Sequence, residues 1–171
     1  VNILRFLRPQ CIKLRLDFTP GEGEEDESAA TAAARHRREK ETLIGELAEI
    51  LARSGDIANL PKLTKDLSLR ERKATTAIAP GIAIPHVRTY QAKSFIIGLA
   101  RAEPPGVDFD SLDGEPTRLF VLLTSPPWDD RTYLQVYREF AMLVQDEEAL
   151  AGLMTAQTEQ DVFNTLRAFF R

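Results

Sequence analysis

Helices packed on a mixed sheet, an α+β fold, are what this 171-residue sequence predicts, and three features carry that expectation. Residues 94–102 (SFIIGLARA) and 117–125 (TRLFVLLTS) are near-continuous apolar runs, the pattern of strands buried on both faces. Helical spacing fills 41–57 and 59–74 ahead of them and most of the chain after residue 129. An alternating stretch, 11–18 (CIKLRLDF), sets Ile12, Leu14 and Leu16 against Lys13, Arg15 and Asp17, as in a half-buried strand. Strand, helices, strands and helices in that order fit a sheet covered by helices.

Taken along the chain, the first strand is expected at 11–18. A charged segment follows at about 18–40, acidic at first and then rich in alanine and basic residues. It offers little apolar surface and reads as a mobile or solvated insertion whose second half extends the next helix backwards. His36 lies there and reads as an exposed helix residue. Leu43, Leu47, Ile50 and Leu51 then mark one face of a helix that stops at Ser54-Gly55. Pro61 opens a second, shorter helix. In ATTAIAPGIAIPH (74–86), Pro80-Gly81 reads as a turn between two short strands. Pro104-Pro105-Gly106 and Asp113-Gly114 supply turn chemistry between the two central strands. The final third is helical. Asp129 or Asp130 is the expected N-cap of its first helix, and Thr158 opens its last.

Bulk properties narrow the function classes. The net charge is −4 with no dominant basic patch, which argues against nucleic-acid binding. No apolar run reaches bilayer length and no signal peptide is visible, so direct membrane insertion is not expected. A single cysteine, Cys11, excludes an internal disulfide framework and fits a cytoplasmic setting. One domain is expected over 1–171; because the chain opens on Val1, it reads as a piece of something longer.

GIAIPHVR (81–88) raises the chemical question, since it delivers one of only two histidines to a strand end. Pro85 fixes its own φ and pushes Ile84 into an extended conformation, so the backbone that carries His86 is stiff. Around His86 there is no second histidine or cysteine at ligand spacing, no Ser-His-Asp pattern and no glycine-rich nucleotide motif. Neither a metal nor another cofactor is expected. Upstream stand Arg70, Arg72, Thr75 and Thr76. Guanidinium and hydroxyl groups suit a phosphorylated imidazole, whose phosphoryl oxygens spread negative charge. Arginines late in a helix also serve its dipole, which is the competing structural reading.

RERKATTAIAPGIAIPHVRT (70–89), then PPGVDFDSLDGEPTRLFVLL (104–123) and a helix, resembles the IIA domain of the mannitol/fructose class of the bacterial phosphotransferase system, which includes nitrogen-regulatory IIA proteins. The likeness spans about Phe6 to Phe170, apart from the charged segment. It implies a three-layer α/β/α sandwich around a mixed sheet of four or slightly more strands. It also implies a phosphotransferase with a phosphohistidine intermediate: His86 accepts a phosphoryl group on Nε2 from an HPr-like phosphocarrier. The group then passes to a cysteine of a IIB domain or acts as a signal to a regulated target. By the same resemblance Arg70 steadies the phosphoryl charge, and Thr76 is expected to help bind it. The family usually places a second histidine early in the helix after the last strand; here Tyr133 stands there. A phenol is neutral near pH 7 and supplies no cation. The alternative reading is therefore a non-catalytic regulatory or interaction module that retains the fold, as in a domain excised from a transporter.

Overall fold

A computed structural model describes residues 2–170. After a 3-10 turn (Ile3–Phe6), the chain forms β1 (Leu7–Lys13), α1 (Ala29–Ala52), α2 (Leu60–Lys73), β2 (Ile82–Ala83) and β3 (His86–Arg88). Then come β4 (Ile96–Arg101), β5 (Leu119–Ser125), α3 (Asp130–Leu143), α4 (Glu147–Thr155) and α5 (Glu159–Phe169). The strands form one mixed sheet in the order β1-β4-β5-β2, with β3 also on β5. Only β4 and β5 run antiparallel; the other pairings are parallel.

The two apolar runs are the central strands because each has a helical layer on both faces. Along them, Ile97, Leu99, Leu119, Val121 and Leu123 join the core under α3, α4 and α5. Their neighbours Ile96, Ala100, Phe120 and Leu122 join a second core under α1 and α2. This is the three-layer sandwich expected.

Three local expectations are corrected. The first strand is Leu7–Lys13 and not 11–18. Alternation continues past its end, where Leu16 stays buried and its N–H donates to the Arg101 carbonyl, but the chain has left the ladder. Pro9 obscures the true start; β1 is an edge strand, where a missing N–H is tolerated. Second, the short strands do not divide at Pro80-Gly81. They both lie beyond it and divide at Ile84-Pro85, where Pro85 has no N–H to give and the Ile84 N–H turns to the Thr76 carbonyl. Third, Asp129 occupies the N-cap position of α3, but its side chain makes no capping bond. The charged segment is split: residues 29–40 are the first turns of α1, capped by Ser28, and 18–28 carry no helix or strand. Between the central strands, the expected turn region also feeds the core, since Phe109 is fully buried edge-on against Phe120.

Candidate functional site

His86 begins β3, opposite Leu123 of β5, and shares that residue's face of the sheet toward α3. The break at Ile84-Pro85 frees the Ile84 carbonyl, which lies 2.6 Å from His86 Nδ1. A carbonyl only accepts, so Nδ1 carries the proton and donates it, leaving the lone pair on Nε2. Arg70, in the last turn of α2, brings Nη2 to 3.4 Å from that nitrogen, while its Nη1 donates to the Ala74 carbonyl at 3.0 Å. Burial lowers the His86 pKa below its usual value; the Ile84 carbonyl opposes this, and the Arg70 charge adds to the lowering. The ring is thus held neutral, with its nucleophilic nitrogen beside a fixed cation.

An open cleft of about 760 Å³ lies over this pair. Arg70 and Lys73 line it from α2, His86 and Arg88 from β3, and Asp130 and Tyr133 from α3. Tyr133 is in the first turns of α3, as expected, and its ring centroid is 5.8 Å from the imidazole. Burial raises its phenol pKa, so it is neutral there. Among the described residues no hydrogen bond joins Tyr133 to His86; the Ile84 carbonyl, not the phenol, orients the ring.

Sequence reasoning missed Tyr137, whose ring lies closer still, at 4.9 Å. The signal was available, because a residue four after Tyr133 shares its helix face. Arg88 was also passed over, although strand alternation sets it on the same face as His86. Its guanidinium lies 5.5 Å over the Tyr133 ring and is ion-paired with Asp130.

Thr76 corrects an expectation, for the structure does not bring it into the cleft. It is buried, with its N–H and hydroxyl both donating to the Glu71 carboxylate at 2.8 Å. Thr75 donates to the Phe109 carbonyl, and Arg72 pairs with Glu41. Of the four upstream candidates, only Arg70 faces His86. The Glu71–Thr76 pair still bears on the site through backbone: the Thr76 carbonyl holds the Ile84 N–H, and the Ile84 carbonyl holds the imidazole.

His36 is helical as expected but half-buried and engaged, with Nε2 2.8 Å from Asp110. Asp108 completes a trio at metal-ligand spacing, but the Lys40 ammonium, 2.7 Å from Asp110, already supplies a cation.

Residues 29–168 match the family described as "Phosphoenolpyruvate-dependent sugar phosphotransferase system, EIIA 2". The fructose-specific EIIABC component of Bacillus subtilis is 29% identical over 129 residues, 75% of this chain. The chain spans only 20% of that relative's length. Among solved structures, nitrogen regulatory protein IIA-Ntr of Neisseria meningitidis superposes with a TM-score of 0.76 at 23% identity, covering 97% of this chain and 99% of that one. Mannitol enzyme IIA of Escherichia coli, solved in complex with phosphorylated enzyme IIB, gives 0.66 at 17%, covering 95% and 99%. Fold, matched length and descriptions agree: the chain belongs to the EIIA 2 family of the phosphotransferase system.

Proposed function

We propose that this chain is a phosphocarrier that accepts a phosphoryl group on His86 Nε2 from an HPr-like donor. It then delivers the group to a IIB-type cysteine or displays it to a regulated target. One observation carries the reading: Nδ1–H is committed to the Ile84 carbonyl, so the Nε2 lone pair faces an open cleft beside Arg70. In the first step that lone pair attacks phosphorus, a P–N bond forms, and the donor imidazole leaves with its electron pair. The His86 ring becomes a phosphoimidazolium, and its Nδ1–H bond to Ile84 strengthens as positive charge develops. Arg70, held through Nη1 by the Ala74 carbonyl, turns its Nη2 from Nε2 to the phosphoryl oxygens, a cation aimed where charge builds. In the second step a thiolate attacks phosphorus and the P–N electron pair returns to Nε2.

Intact mass after incubation with phosphorylated HPr tests this. The expected gain is one acid-labile phosphoryl group, about 80 Da, absent from His86→Ala. Labelling that persists in the alanine variant places the nucleophile elsewhere. Tyr133, neutral where the family usually has a second histidine, favours the alternative of a non-transferring module. That reading requires no mass gain from either HPr or its nitrogen-branch relative.

A further inference from the structure

We infer that Arg88 is a second phosphoryl-holding guanidinium of this site, parked on Asp130 while the site is empty. The inference rests on the phosphocarrier reading and adds a residue to it.

Three observations place Arg88. In β3, His86 and Arg88 are two residues apart, so their side chains leave the same face about 6.6 Å from each other. Both line the one cleft, into which Arg70 also reaches from α2. The Tyr133 ring is their common neighbour, 5.8 Å from the imidazole and 5.5 Å beneath the guanidinium. Arg70 therefore approaches Nε2 from α2, while Arg88 shares the strand of the imidazole and lies toward α3, over Tyr133. A phosphoryl group on Nε2 meets Arg70 directly and shares the cleft with Arg88, which reaches it by leaving Asp130.

The competing role for Arg88 is a brace between β3 and α3 through its ion pair with Asp130. Exposure weighs against it. The two side chains are 45% and 64% exposed, and pairs in that setting contribute little to stability. The pair better describes a holding position. With no phosphoryl group present, Lys62, Arg70, Lys73 and Arg88 crowd one cleft, and Asp130 offsets part of that charge. Asp66, also in the cleft, is engaged by the Thr89 hydroxyl at 2.6 Å. An incoming phosphoryl group carries about two negative charges and three acceptor oxygens, against the single charge of Asp130. Guanidinium bonds such oxygens in pairs, so the exchange favours the phosphoryl group. Tyr133 keeps the guanidinium near the imidazole throughout, through its ring face and without adding charge.

Phosphoramidate, a small donor that needs no docking surface, tests the proposal. The His86 Nε2 lone pair attacks its phosphorus, the donor P–N bond breaks and ammonia leaves. The rate of acid-labile mass gain is measured for the wild type, Arg88→Ala, Arg88→Lys and Asp130→Asn, alongside melting curves. Arg88→Ala is expected to slow labelling tenfold or more with its melting temperature retained, and Arg88→Lys to recover part of the loss. Asp130→Asn is expected to label faster than wild type, because it releases Arg88. A slowing of less than tenfold in Arg88→Ala overturns the proposal, as does an Asp130→Asn variant as slow as Arg88→Ala. Should the alanine variant not fold, Arg88→Gln provides the same readout. A wild type labelled by neither phosphoramidate nor phosphorylated HPr overturns the phosphocarrier reading and this inference together. Normal wild-type labelling with an unaffected Arg88→Ala overturns this inference alone.

Discussion

A histidine that attacks through one nitrogen must keep its proton on the other. At His86 the Ile84 carbonyl enforces that division, and burial disfavours a second proton. The same arrangement makes stability depend on pH. The unfolded imidazole titrates near pH 6.5, and the folded one lower. Between those values the unfolded chain binds more protons, so stability rises with pH. The contribution is complete above about pH 6.5 and is lost as pH falls through the folded value. The melting temperature of the wild type minus that of His86→Gln is expected to shrink as pH drops from 7.5 to 5. A difference constant across that range contradicts the lowered pKa. At this scale the sequence singled out candidates by their chemical type. His86 and Arg70 stand out by motif and meet in space. Thr76 does not, because a hydroxyl in a motif says nothing of whether it turns toward solvent or toward a buried carboxylate.

Among elements, the α2–β2 connection is tied by a buried carboxylate. Glu71 is 6% exposed, and its carboxylate accepts both Thr76 bonds with the Lys40 ammonium 3.5 Å away. Glu71→Ala strands the buried Thr76 N–H and hydroxyl, a loss of about 2 kcal/mol or more, while Lys40 keeps Asp110. The adjacent Arg72 is exposed and paired only at the surface, so Arg72→Ala is expected to shift stability by about 1 kcal/mol or less. Urea titration of the two variants checks the contrast; equal losses would refute it. We further propose that the acidic stretch before α1 is dispensable. Excising residues 20–27 removes no core residue, only local pairs such as Glu27–Arg35, and is expected to leave the melting temperature within a few degrees. A larger fall would mark the stretch as integral. Legibility at this scale followed burial. The central strands were plain because both faces are apolar, whereas β1 was displaced by four residues because its start contains a proline and its polar edge continues as loop.

For the whole molecule, the sequence conveyed the layers but not the strand order. Periodicity reports what each element buries, and says nothing of which strand lies beside which. The mixed sheet with β5 between β4 and the β2–β3 edge is a long-range result that only the packed chain displays. No helix among the described residues is long and apolar enough to cross a membrane.

The short strand that bears His86 is paired to β5 at all three of its residues, and β5 is buried from end to end. A fully buried central strand such as β5 belongs to the last part of a domain to open. A charge that arrives on His86 therefore has no hinge to pull. Amide hydrogen exchange across Leu119–Ser125 is expected to be the same with the histidine loaded or empty, and a changed rate there would show that the sheet yields. Under the proposed function, a rigid mount of this kind would convert phosphorylation into an altered surface potential, so that a partner would read the domain by its field, not by its shape.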